Sequence, residues 1–274
     1  MKTLVSHMNE ALKIGKNLAS FSSYSCQPKT KEELQEIIKS RIEKEGPNCN
    51  LNDIDVSLIT DMSWLFNDLQ FNGDISKWNV SNVENMSDLF YDSPFNGDIS
   101  EWNTYKVKEM RNMFAYSKFN RDISKLDVSN VKDMYGMFYH ANFNGDISKW
   151  DTSKVTDMAY MFEKAEFNQD ISKWNVSSVK DMGFMFSQSK FNQDISRWDV
   201  SNVKNMCGMF SKSRFNGDIS NWDISSVKSM GWMFDNSEFD QDISNWNISK
   251  DCSTTRMFYN CPIREEHKPE SLQK

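Results

Sequence analysis

The stretch FNQDISRWDVSNVKNMCGMFSKSR, residues 191–214, is one copy of a unit that recurs eight times without insertion or deletion. Phe returns at 71, 95, 119, 143, 167, 191, 215 and 239, and Asp-Ile-Ser follows three residues after each. A fixed 24-residue period restricts the chain to folds in which each unit stacks only on its neighbours. The consensus is F-N-x-D-I-S-x-W-[DN]-[VTI]-S-x-V-x-x-M-x-x-[ML]-F-x-x-[SA]-x. A truncated unit precedes the series, with Leu51, Ile54, Val56, Ile59, Met62, Leu65 and Phe66 at the consensus apolar positions, so the array spans about 47–262.

Within a unit, Trp78 and Val80 alternate with Asn79 as in a strand. Val83, Met86, Leu89 and Phe90 fall at i, i+3, i+6 and i+7 as in a short helix. Ser81 stands where a hydroxyl could cap that helix. These periods predict an α/β repeat solenoid with one short parallel strand and one short helix per coil. At the usual strand spacing, nine coils would measure on the order of 40 Å.

Such a stack needs covered ends. Thr30-Lys31-Glu32-Glu33 reads as a capping box, Leu34, Ile37, Ile38 and Ile42 form an apolar stripe, and Gly46-Pro47 closes the helix. A thinner stripe of Leu4, Met8 and Leu12 predicts another helix over about 2–18. The expected organisation is a helical N-terminal cap over 1–46, an array of about nine coils over 47–262 with the last as a cap, and a charged tail over 263–274. Asp251 and Thr254 replace the apolar Val and Met in the last coil, where one face would meet water.

The net charge is −7 and, because the first 46 residues carry eight basic and six acidic groups while the last twelve balance, the array holds −9. That argues against nucleic acid as a partner. No signal-peptide pattern or membrane-length apolar run occurs, so the expected location is the cytoplasm, without membrane insertion. The five cysteines at 26, 49, 207, 252 and 261 follow no metal-ligand spacing and suit free thiols, with Cys252 and Cys261 the one pair placed for a disulfide.

The motif FNxDISxWDVSxVxxMxxMF resembles the BspA-type leucine-rich-repeat-like family, whose repeat also occurs in mycoplasma lipoproteins and was catalogued as a domain of unknown function. The resemblance covers roughly 51–261. It implies a leucine-rich-repeat-like solenoid and protein binding or adhesion, with no catalytic residue. Residues 30–57 are similar to the opening of shorter, signal-less members from gut bacteria and their phages.

The repeat columns define the candidate sites. Asp74, Asp98, Asp122, Asp146, Asp170, Asp194, Asp218 and Asp242 form a ladder whose carboxylates are expected to accept backbone N–H groups in Asx turns, with calcium between coils as the alternative. The Asn column from Asn72 to Asn216, the Trp column and the methionines read as turn and core structure. Lys77, Lys125, Lys149, Lys173 and Arg197, with Lys108, Lys132, Lys180, Lys204 and Lys228, read as a solvated face mixed with acids. No hydrolase, zinc-protease or P-loop motif occurs, and only His7, His140 and His267 could act as imidazole bases, so no enzyme, cofactor or metal is expected.

A column two residues before the inward Phe reads Trp64, Asp88, Asn112, Gly136, Tyr160, Phe184, Gly208 and Trp232. Aromatics at a position that tolerates Gly are free of core demands. Tyr160, Phe184 and Trp232, with Tyr135 and Tyr139 one coil before Tyr160, are therefore the expected partner-binding surface, left uncovered by Gly183 and Gly208; the alternative is that these rings fold back over the helical layer. The function this supports is a non-enzymatic intracellular scaffold for a protein partner. An exported adhesin for host protein or glycan is the alternative.

Overall fold

A computed structural model describes residues 24–273. The 24-residue coils stack, but the expected strand and helix of each coil do not form. Among the described residues the one α-helix is α1, Lys31–Glu45, and the only other helical segments are 3-10 turns at Glu265–His267 and Glu270–Leu272. Among the described residues there is no extended strand. Coils are joined instead by isolated parallel bridges, from Asp61 with Asn85 through Asp133 with Asp157 to Ser229 with Ser253.

The helical reading fails because consecutive four-residue turns place side chains at nearly the spacing of a helix. Leu89, Tyr91 and Ser93 donate their N–H groups to Met86, Asp88 and Phe90 within the coil, at 3.2 to 3.3 Å. The alternate N–H groups of Met86, Asp88, Phe90 and Asp92 donate to Glu109, Arg111, Met113 and Ala115 of the next coil, at 2.7 to 3.0 Å. Asp88 and Asp92 have φ of +56° and +48°, the left-handed backbone that a type II turn needs at its third position and that a helix forbids. The strand fails similarly. Trp78 N–H bonds Ile75 O at 3.1 Å inside the coil, and Asn79 Oδ1 accepts the Ser81 N–H and hydroxyl at 3.2 and 2.7 Å. Ser81 thus completes a turn and caps no helix.

Two files of phenylalanine run through the middle. In one, Phe66, Phe90, Phe114 and their successors to Phe258 stack with centroids 5.5 to 5.9 Å apart. The other, Phe71 to Phe239, lies against it at 4.1 to 4.7 Å. The tryptophans are core as well: Trp174 is 3% exposed and donates its indole N–H to Ile147 O of the previous coil at 3.0 Å. Outside this core, each Asn carboxamide oxygen accepts the N–H of its successor, from Asn72 with Asn96 to Asn216 with Asp240, at 2.8 to 3.0 Å. Asp240 extends the series by accepting from Arg264 N–H at 3.1 Å.

Both described ends are covered. On α1, Thr30 Oγ1 accepts the Glu33 N–H at 3.2 Å, and Leu34 and Ile38 are fully buried on the first coil. Arg41 holds Asp53 at 3.0 Å, and its side-chain hydrogen bond keeps that carboxyl below the usual range. The helix expected over 2–18 lies outside the described residues. At the other end the charged tail folds back: Ile263 is buried and Ile243 N–H bonds His267 O at 3.0 Å. All five cysteines, Cys252 and Cys261 included, are free thiols.

Candidate functional site

The Asp ladder is occupied by backbone. Asp74, Asp98, Asp122, Asp146, Asp170, Asp194, Asp218 and Asp242 each accept the N–H of the Ser two residues on, at 2.8 to 2.9 Å. That backbone hydrogen bond is the main reason the carboxyls of Asp98, Asp146 and Asp194 titrate below the ordinary range. Among the described residues no group of three or more acidic, His or Cys side chains is arranged to hold a metal ion.

A second acidic column lies on the turn face. Asp133, Asp157 and Asp181 follow one another through the bridges. Arg111 pairs with Asp133 at 2.9 Å, and Asn205 Nδ2 donates to both oxygens of Asp181 at 3.0 and 3.1 Å. Asp157, between them, is pushed up by burial, then by the two neighbouring carboxylates. A carboxyl raised in the folded state carries a penalty at neutral pH that lifts as pH falls through its folded pKa. Asp157→Asn keeps the oxygen that accepts Ala159 N–H and repeats what Asn205 does in the same column. It should stabilise the chain by about 1 kcal/mol at pH 7. In melting curves the advantage over wild type should shrink on acidification.

Beside this column the turn face opens into a cleft of about 340 Å³ lined by Tyr91, Asn112, Tyr116, Tyr135, Tyr139 and Tyr160. One wall is a chain of edge-on rings, Tyr91 to Tyr116 at 5.6 Å and Tyr116 to Tyr139 at 5.1 Å, with His140 stacked on Tyr116 at 5.1 Å. The other is Tyr135 against Tyr160 at 5.2 Å, continued by Phe184 stacked on Tyr160 at 5.2 Å. Left-handed residues build these walls. Asn112, Tyr116, Gly136, His140, Tyr160 and Phe184 have φ between +46° and +59°. Such a backbone strains a bulky side chain, and it explains why Gly is accepted in this column. Gly136 is buried beside the cleft under the Asn112 side chain: a Cβ there would lie 2.2 Å from Asn112 Oδ1.

The Tyr139 phenol is raised well above its ordinary value, chiefly by its hydrogen bond with Tyr116, and burial raises Tyr91, Tyr135 and Tyr160. Two rings already carry cations, with the Arg111 guanidinium 4.3 Å from the centre of Tyr135 and Lys164 Nζ 6.0 Å from that of Tyr139.

The family model described as Mycoplasma protein of unknown function, DUF285, matches residues 34–142, 115–212 and 179–268 in overlapping succession. The chain belongs to the DUF285 family. No curated protein and no solved structure matches it. The DUF285 matches begin inside α1 and extend into the folded-back tail, so that family pattern takes in the array and parts of both covers.

Of the five expected contact residues in this DUF285 chain, the structure brings Tyr135, Tyr139, Tyr160 and Phe184 together. Trp232 stands two coils beyond Phe184 with Gly208 between them, 42% exposed and away from the cleft. Gly208 does not leave Phe184 uncovered as expected; a Cβ on Gly208 would sit 2.3 Å from Phe184 Cε1, so the ring lies down on the glycine and is half-buried. Tyr91, Tyr116 and His140 were not among the expected contacts, and Asn112, in the column two residues before the inward Phe, was passed over because only its aromatics were followed. Tyr91 and Tyr139 share the column one residue after the inward Phe, and Tyr116 and His140 the next. Superimposing three variable columns would have found them.

Proposed function

We propose that the chain is a non-enzymatic interaction scaffold acting inside the cell, that it binds protein as its resemblance to the BspA-type repeats implies, and that its partner is held at the tyrosine cleft. The observation that carries this reading is the concentration of five tyrosines around one cleft, on positions the stacked core does not use. Tyr116 keeps 42% of its surface exposed in the free chain. Half-buried aromatics on a rigid frame bind at low entropic cost, because little is ordered on contact. Among the described residues no helix is long and apolar enough to cross a membrane.

The test replaces Tyr160 and Phe184 together by Ser. Both rings lie outside the phenylalanine files, so the melting temperature should stay within a few degrees. Loss of two anchoring rings should weaken partner capture by at least about 100-fold. The assay immobilises the chain, exposes it to native-cell lysate and compares what each form retains. A double variant that unfolds, or one that retains the same proteins, would remove the reading.

A further inference from the structure

The chemistry of the cleft names the part of the partner it holds. Its lining contains five tyrosines and one asparagine, and no lysine, arginine or histidine. The charges that reach these rings are mostly negative. Asp68, Asp88 and Asp92 act on Tyr91, Glu163 on Tyr139, and Asp157, Asp181 and Glu163 on Tyr135. The nearest strong cation, Arg111, is tied to Asp133 and lies on the Tyr135 ring. The chain as a whole carries −7.

Aromatic faces in a negative field attract organic cations. This molecule already uses that attraction on the same side of its coils: Arg111 over Tyr135 at 4.3 Å, Arg256 over Tyr259 at 5.0 Å and Lys164 over Tyr139 at 6.0 Å. Tyr91, Tyr116, Tyr139 and Tyr160 border about 340 Å³ of open space. We infer that this cleft receives the guanidinium or ammonium head of a basic side chain projecting from the partner protein. The inference rests on the scaffold reading and adds a charge requirement to it. Asn112 Oδ1, above Gly136, supplies an acceptor at the floor for a donor N–H of that head.

The full chain is titrated calorimetrically with a short peptide carrying one arginine among neutral residues, with the lysine version, and with a version in which neutral citrulline replaces arginine. The arginine and lysine peptides should saturate, and citrulline should bind about tenfold more weakly. Binding of the cationic peptides should also weaken with added salt. Tyr139→Ala with Tyr160→Ala should abolish the difference, whereas Tyr139→Phe with Tyr160→Phe, which keeps the ring faces, should preserve it. Tyr105→Ala, at an exposed tyrosine that does not line the cleft, should change nothing. Equal binding of arginine and citrulline, failure of the cationic peptides to saturate, or cation binding unaffected by the double alanine variant would overturn the inference. Free choline binding more tightly than either cationic peptide would overturn the peptide assignment in favour of a small quaternary ammonium. If Tyr160→Ser with Phe184→Ser still abolishes partner capture while the peptides show no charge preference, the scaffold reading stands and this one falls.

Discussion

Phe186→Ala is expected to remove about 3–5 kcal/mol and to melt the coils on both sides of it together. The ring is fully buried and touches aromatic rings in both neighbouring coils: Phe162 at 5.8 Å in one, and Phe191 at 4.1 Å, Trp198 at 6.2 Å and Phe210 at 5.9 Å in the other. Its loss leaves a void that the alternating hydrogen bonds between coils prevent from closing, since moving one coil inward breaks bonds to two others. Stability in a linear stack is a sum of unit and neighbour terms, and this substitution weakens two neighbour terms at once. Denaturant unfolding followed by tryptophan fluorescence and by amide exchange checks it. A change confined to amides of residues 180–195 would contradict the shared core.

Gly73→Ala is the second large effect, expected to cost about 1–3 kcal/mol and to loosen α1 from the stack. The third position of the FNxDIS motif accepts Arg121, Gln169, Gln193 and Gln241, so a side chain is ordinarily tolerated there. At Gly73 a Cβ would come within 1.9 Å of the Cys49 carbonyl oxygen. That oxygen is held by Asp74 N–H at 3.2 Å, and Asn72 N–H bonds Pro47 O at 2.8 Å, so this backbone has nowhere to go. Gly217 is the control. Its closest contact is the Phe215 ring at 2.9 Å, at the motif position where other copies carry Arg or Gln, but the nearest backbone atom, Gln193 O, is 3.8 Å away, and Gly217→Ala should leave the melting temperature within a few degrees. Similar losses in both variants would mean that the crowding at Gly73 has been misread.

The 24-residue period, the inward columns, the asparagine series and α1 were all legible, because each rests on recurrence or on capping chemistry that few structures satisfy. The secondary structure of the coil was not. Val83, Met86, Leu89 and Phe90 sit at a spacing shared by one helix and by successive turns, and apolar periodicity cannot distinguish them. The separating clue was composition at the position of Asp88, where Gly136 and Gly208 also stand and where Asp, Asn and Gly together point to left-handed backbone. Reading that column only for its aromatics hid the signal. The cleft was half legible: the wall of Tyr135, Tyr160 and Phe184 follows one variable column and its neighbour, while Tyr91 and Tyr116 meet it only because of how the turns aim their side chains.

The alternating N–H groups of the turn ribbon bear on how such a chain can change. Every second donor reaches an acceptor one period away, so a cut and rejoin that removes or adds 24 residues restores each bond with an equivalent partner. A length that is not a multiple of 24 misaligns the whole ribbon. Excising residues 161–184, for instance, follows Tyr160 with Met185, the same methionine that Met161 supplies, and the phenylalanine files close up without a gap. The outward rings, however, acquire new neighbours, since Gly208 would then come directly after Tyr160 in their column. Genetic exchange between near-identical repeats could thus redraw the outer face in one step and leave the interior as it was.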